Sequence, residues 1–248
     1  MNLQIVESTD RILDTRTSAS WWDADAECTI VVARPVDELD LWSDYLDGAV
    51  RSYRKHGVEC ALDMEALRSG SDTILFFAAV DENGQILAGV RAKGPLRDAD
   101  DSHAVVEWAG RPGLDAVRKM INDRAPFGIL EMKSAWVTDD RERNRSLTEV
   151  LARSGSHSMA LLDIQFCMAT AGDYVLNRWK SSGGLVATHI PATPYPDERY
   201  QTKMMWWDRH TFMKHSEPQQ ISKMRKESMA LANMFGRDED DLRYGSTS

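Results

Sequence analysis

Residues 128–154, GILEMKSAWVTDDRERNRSLTEVLARS, constrain this chain more than any other segment, because an apolar strand runs into an arginine-rich turn that opens directly into an amphipathic helix. The first N–H groups of a helix lack intrahelical partners and sit at the positive end of the macrodipole, so such a junction is built to hold an anion. Arg141, Arg143 and Arg145 surround that point, and Asn144, Ser146 and Thr148 are small polar residues able to cap the helix or let a ligand approach its backbone. Leu147, Val150 and Leu151 follow at helical spacing and face a core. Taken alone, the segment also fits a solvated turn with ordinary caps.

The chain has 248 residues, 42% hydrophobic and 28% charged, enough for one large domain or two small ones around a sizeable core. No apolar run reaches the length of a membrane span, and the charged N-terminus does not read as a secretory signal, so a soluble, cytoplasmic protein is expected. Cys28, Cys60 and Cys167 are widely separated and lack metal-ligand spacing, which points to reduced thiols and no metal site. A net charge of −9 argues against nucleic-acid binding, while the local arginine cluster suits one phosphorylated ligand.

Along the chain, residues 1–27 form a polar lead-in containing Trp21-Trp22, expected to pack onto the domain rather than start it. Residues 29–33 read as a strand, and Leu39, Trp42, Tyr45, Leu46, Ala49, Val50 and Tyr53 mark an amphipathic helix ending at Gly57, with a second helical piece at 61–67. Strands at 73–80 and 85–92 flank Asn83-Gly84, a hairpin signal. Residues 94–127 read as an insertion. Then come a strand at 129–137, a helix from Arg143 to about Gly155, a strand at 164–170, a short helix at 173–180, and strands at 185–190 and 200–208 joined by a proline-marked loop. Residues 214–248 read as a helical, charged tail.

This order of elements, with several local pieces, resembles the GNAT superfamily of CoA-dependent N-acyltransferases over roughly residues 28–213, nearest in character to its N-acyl amino acid synthase and acyl-homoserine-lactone synthase branches. The family's phosphate-binding turn, an Arg or Gln followed by spaced glycines, is matched by Arg143-Asn144-Arg145-Ser146-Leu147-Thr148, with Ser146 and Thr148 where glycines stand. A register beginning at Arg141 is the alternative; the first places Leu147 and Leu151 on buried helix positions. The helix ending RWKSSGG resembles the family's last helix, with Trp179 where many members carry a tyrosine acid. Trp has no proton of useful pKa to give. The loop TPYPD, the strand YQTKMMWWD, the glutamate on the fourth strand and the long segment before it resemble the two named branches.

The resemblance implies an α/β (α+β) fold: a mixed, mostly antiparallel sheet of six to seven strands flanked by helices, with a splay between the family's strands four and five. It implies that a backbone N–H near Val137, with Trp136 and Thr138 beside it, meets the thioester oxygen, and that residues 141–148 hold the donor's phosphates. Acyl transfer also needs somewhere for the amine's proton to go. Alternation along 129–137 puts Ile129, Glu131, Lys133, Ala135 and Val137 on one face, and Leu130, Met132, Ser134 and Trp136 on the other. Glu131 is the expected base with Lys133 tuning it, against the plain alternative of a structural ion pair. His103, Glu107, His189 and Asp197 are weaker candidates. Cys167, between Phe166 and Met168, reads as a buried inert thiol. Met204-Met205-Trp206-Trp207 suit either an acyl-chain pocket or an ordinary core.

The expected activity is therefore transfer of an acyl group from acyl-CoA or acyl carrier protein to the amine of a small molecule such as an amino acid. Two alternatives remain at this stage: a non-catalytic GNAT-like binding module, and an unrelated α/β protein serving assembly. Oligomeric state is not legible.

Overall fold

The structure, a computed structural model, describes residues 18–140 and 142–235; Arg141, residues 1–17 of the lead-in and residues 236–248 of the tail lie outside the described residues. Eight strands form one sheet: β1 Ser18–Asp23, β2 Cys28–Ala33, β3 Thr73–Val80, β4 Ile86–Lys93, β5 Ile129–Val137, β6 Phe166–Gly172, β7 Leu185–Val186 and β8 Thr202–Asp208. Their order is β1-β2-β3-β4-β5-β6-β8-β7, with every neighbouring pair antiparallel except β5 and β6. The sheet thus begins before residue 28: Ser18–Asp23 pairs along the whole of β2 as an edge strand. At the other edge, only two residues of the expected strand at 185–190 join the ladder.

Among the described residues seven helices cover the sheet: α1 Leu39–Lys55, α2 Met64–Ser69, α3 His103–Glu107, α4 Leu114–Arg124, α5 Asn144–Leu161, α6 Leu176–Lys180 and α7 Pro218–Phe235. On one face α5 and α7 close the largest core, where Leu147, Val150 and Leu151 meet Leu130, Met132, Cys167 and Met205. Trimming a side chain such as Leu147 there should cost about 2–5 kcal/mol. α5 continues past Gly155, where a stop was expected, because that glycine lies against the sheet: a Cβ on it would stand 3.0 Å from the Cys167 sulfur. The helix needs a small residue there to pack closely. α7 reaches back through the tail region to pack on β1 and α5, so residues 218–235 belong to the packed body.

The opposite face carries two separate apolar clusters. α1 packs Trp42, Tyr45 and Ala49 against Phe76 and Trp136, with Gly48 leaving room for the Trp136 indole, whose ring atoms would lie 2.0 Å from an added Cβ. The insertion helices α3 and α4 pack Trp108, Val117 and Ile121 against Ile129, Met168, Met204 and Trp206. Polar side chains of β4 and β5 occupy this same face.

The alternation expected along β5 breaks at Ser134, which has φ +53, and the β4–β5 register shifts between Gly89 and Arg91. Two residues there oppose one, which is a β-bulge. Beyond it the faces exchange. Ala135 and Val137 join the side of Leu130 and Met132, while Trp136 joins the side of Glu131 and Lys133. Strict period-two reading fails because the inserted residue resets the phase.

Candidate active site

β5 and β6 pair in parallel only from Ile129–Phe166 to Met132–Ala169, and the ladder ends there. The bulge at Ser134 turns the rest of β5 away, giving the expected splay. The first residues past the last rung are Lys133 on β5 and Thr170 on β6. The Glu107 carboxylate joins them: its Oε1 accepts from Lys133 Nζ at 2.6 Å and from Thr170 Oγ1 at 2.9 Å. Glu107 comes from α3 in the insertion, so a long connection delivers an acid to the point where the strands part. Thr193 Oγ1 fixes it further by donating to its backbone oxygen at 3.2 Å.

Glu131 is fully buried, and its Oε2 accepts from the His103 backbone N–H at 2.9 Å. The alternative of a Glu131–Lys133 ion pair is not formed: the ammonium is bonded to Glu107, while Glu131 acts on it through its charge. The His103 ring meets the Tyr195 hydroxyl at 2.9 Å, and its Nε2 lies 4.0 Å from Glu107 Oε1. Two carboxylate oxygens, Glu107 Oε2 and Glu131 Oε1, are buried with no hydrogen-bond partner. On the adjacent strand Arg91 donates to Asp72 at 2.6 Å and to Thr73, and Lys93 stands 3.5 Å from the same Asp72.

Burial sets the electrostatics. It raises the Glu107 carboxyl above the ordinary range, against the pull of Lys133. Burial opposes the Lys133 charge as well, yet Glu107 and Glu131 outweigh it and hold the ammonium above its usual value. His103 is pushed down to about 3 by burial, with Lys133, Lys93 and Arg91 adding to the effect, so its ring is neutral at pH 7. Tyr195 is pushed up to about 12, again by burial first and Glu107 second.

At the start of α5 the geometry is different. Asp140 Oδ1 accepts from the N–H groups of Glu142 at 3.0 Å and Arg143 at 3.4 Å, so an internal acid caps the turn. Arg143 leans toward Glu27 and Asp140, while Arg145 is exposed and bonded to Glu149. Thr148 Oγ1 donates back to Asn144 O at 2.7 Å, which engages the hydroxyl proton inside the helix. Leu147 and Leu151 are buried, leaving only backbone for a ligand, and Ser146 is partly exposed. Arg178 of α6 crosses to this turn, donating to Asn144 Oδ1 at 2.6 Å and Thr148 Oγ1 at 3.2 Å.

In β5, Thr138 N donates to Leu87 O across the β4 side. Since successive amides of a strand alternate edges, the Val137 N–H is aimed at the open side toward β6. The Trp136 side chain is in the core with α1. Trp179 is buried edge-on to Trp207. Met204 and Trp206 belong to the insertion-side core and Met205 and Trp207 to the α5-side core. Cys28 and Cys167 are buried, their thiols raised by burial, Cys28 to about 12, which makes both poor nucleophiles. His189 is exposed and Asp197 is engaged with Arg199, away from the Glu107 cluster. Among the described residues no group of three or more His, Cys, Asp or Glu is placed to hold a metal ion, and no helix is long and apolar enough to cross a membrane.

Glu107 was a minor candidate in the sequence; Arg91, Thr170, Tyr195 and Arg178 were none. The i, i+4 spacing of His103 and Glu107 was a usable signal for one helix face, as was the alternation of Arg91 and Lys93 within an apolar strand. Nothing local marks Thr170 or Arg178.

No family model matches the chain. Over 212 residues it is 58% identical to the uncharacterized protein Rv1356c of Mycobacterium tuberculosis strain H37Rv, covering 86% of this chain and 81% of that protein. The uncharacterized protein Mb1391c of Mycobacterium bovis matches with the same 58% identity and coverage. Among solved structures, FeeM, an N-acyl amino acid synthase from uncultured soil microbes, is similar at TM-score 0.54 and 9% identity, over 82% of this chain and 95% of that one. BjaI, a CoA-dependent acyl-homoserine lactone synthase with SAM and isopentyl-CoA, is similar at TM-score 0.47 and 16% identity, over 88% and 92%.

Proposed function

This chain belongs to the family of the mycobacterial protein Rv1356c and has the GNAT fold, and from that premise we propose that it is an N-acyltransferase moving an acyl group from acyl-CoA or acyl carrier protein to the amine of a small molecule such as an amino acid. One observation carries the reading: a buried, incompletely bonded cluster of acids stands where β5 and β6 part. Buried polar atoms are normally paired, so two open carboxylate oxygens at a gap in the sheet mark a place prepared for a ligand.

In this reading the Val137 N–H stabilises the oxyanion that develops on the thioester oxygen. Glu131, directly or through a water, takes one proton from the arriving ammonium. The neutral amine attacks the carbonyl carbon, the C–S bond breaks, and the thiolate leaves with a proton from the attacking nitrogen, while the proton held by Glu131 passes to solvent. Lys133 holds Glu107 in place and sets the local charge. Arg143, Arg145, Asn144 and Arg178, with the backbone N–H groups of Arg145 and Ser146 at the start of the helix, hold the donor's phosphates, and the basic side chains here also suit the acidic surface of a carrier protein. Cys28, Cys60 and Cys167 are free thiols, which supports a reducing compartment such as the cytoplasm.

Thermal unfolding with CoA and with acyl-CoAs of increasing chain length tests the reading, since a ligand that binds only the folded state raises Tm. A rise with an optimum in chain length is expected, and no rise with any thioester would end it. Glu131→Gln should lower turnover by about a hundredfold to ten-thousandfold while leaving acyl-CoA binding intact. Asp140 capping the α5 turn favours one second reading, a non-catalytic GNAT-like module that binds an amine without CoA; ammonium-dependent stabilisation with no response to CoA would select it.

A further inference from the structure

Glu107 is held in a way that a purely structural carboxylate is not. One oxygen takes both donors, Lys133 Nζ and Thr170 Oγ1, while Oε2 is buried and empty-handed. Leaving a buried acceptor unpaired is costly, and more so for a charged group, so its persistence needs a reason. The two donors come from the two strands at the point of parting, which fixes the free oxygen relative to the gap. Glu131 lies close enough for its charge to act on Glu107, and its own Oε1 is also open. The Lys133 ammonium is bonded to one oxygen of Glu107, and Lys93, opposite Glu131 on β4, is drawn toward Asp72, so neither open oxygen has a cation bonded to it. His103 adds no charge, because burial keeps its ring neutral. Lys133, His103, Thr170 and Tyr195, which edge the cluster, are only partly buried, so the cluster lies just beneath the surface.

We propose, resting on the acyltransferase reading above, that Glu107 is the anchor of the acceptor: its free Oε2 accepts a hydrogen bond from a protonated primary amine at the mouth of the β5–β6 gap, with the open Glu131 oxygen as the second contact. The site thereby selects acceptors that arrive as ammonium ions and rejects neutral molecules of the same shape. A hydroxyl offers one O–H donor and no charge, whereas an ammonium offers three donors and a positive charge for two open carboxylate oxygens. Glu107 is a binding and selecting group in this scheme; the proton transfer stays with Glu131.

The test uses the whole chain saturated with CoA and measures Tm against propylamine, benzylamine and 2-phenylethylamine at pH 7, each matched with the alcohol of the same skeleton. Amine-dependent stabilisation is expected for the wild type and not for the alcohols. In Glu107→Gln it should be lost or weakened at least about tenfold while the shift produced by CoA alone is retained. Glu107→Asp, which keeps the charge and the class of bond to Lys133, should retain part of the amine response, and it serves if the Gln variant does not fold. Equal stabilisation by amine and alcohol would mean that the oxygen is merely hydrated, and would overturn the proposal. So would an undiminished amine response in Glu107→Gln, or a chain that answers to CoA and to no amine. A wild type that does not respond to CoA defeats the acyltransferase reading first, and is told apart from failure of the anchor by that control.

Discussion

Two buried charged networks stand on opposite faces of the sheet, and they are finished to different degrees. On the α5 face, Arg153 lies between Asp23 of β1 and Glu227 of α7, and the guanidinium and both carboxylates are fully engaged: Arg153 also donates to Glu149 O and Gln220, His157 meets Glu227 Oε2 at 2.7 Å, and Asp23 Oδ1 accepts from Asp25 and Ala26. On the other face, Glu107 and Glu131 each keep an open oxygen. A closed network orders its surroundings and leaves no room for a visitor; an open one gives up stability for a contact still to be made. Charge content does not separate a lock from a site here. Completeness of hydrogen bonding does.

The largest expected effect comes from opening the closed network. Arg153→Met leaves Asp23 and Glu227 buried without their guanidinium and should destabilise the fold by about 3–5 kcal/mol in denaturant unfolding. A loss below about 1 kcal/mol would remove the distinction, because the network would then hold nothing together.

Acid should expose the two networks in different windows. Glu227 is raised by burial but held down to about 2 by His157 and Arg153. Its stabilisation, on the order of 3 kcal/mol, is present above its ordinary value of 4.5 and lost as pH falls from there toward 2. His103, a base whose folded value lies near 3 against an ordinary 6.5, binds fewer protons folded than unfolded, so stability falls as pH drops from about 6.5 toward 3. His103→Asn should flatten the stability curve between pH 6.5 and 4.5 and leave the lower limb intact. Wild-type and His103→Asn curves that run parallel between pH 6.5 and 4.5 would contradict the buried neutral imidazole.

Arg178→Ala probes the turn at the start of α5. It should weaken CoA binding by about 1 kcal/mol in calorimetry, a partly exposed charged contact, with the fold unaffected. Glu131→Gln should also change stability little, within about 1 kcal/mol, since the amide oxygen still accepts from His103 N–H and the replaced oxygen had no partner. A much larger loss would place Glu131 among the structural groups and weaken the comparison at its centre.

Much of the fold was legible because its signals are local. Periodicity marked β3, β4, β5 and α1, and Asn83-Gly84 closes the β3–β4 hairpin with Asp81 Oδ1 accepting from the N–H groups of Asn83 and Gln85. The site was legible in part. Glu131 and Lys133 were picked out by alternation on β5, and both do lie at the cluster, but their partners were hidden. Lys133 reaches Glu107, 26 residues away in sequence, and Thr170, 37 away. Gly155 read as a stop, whereas its reason for being glycine is Cys167 on another element.

By itself the sequence determined which segments are strands and helices, and that acids and bases of β5 share a face, because backbone propensity and side-chain alternation act over a few residues. Only the tertiary structure decided the bulge that resets β5 at Ser134, the delivery of Glu107 to the point where β5 leaves β6, and which buried carboxylates are closed and which remain open. Those depend on pairing register and on the arrival of side chains from distant segments, where the cost of burying a charge is set by neighbours that local sequence does not specify.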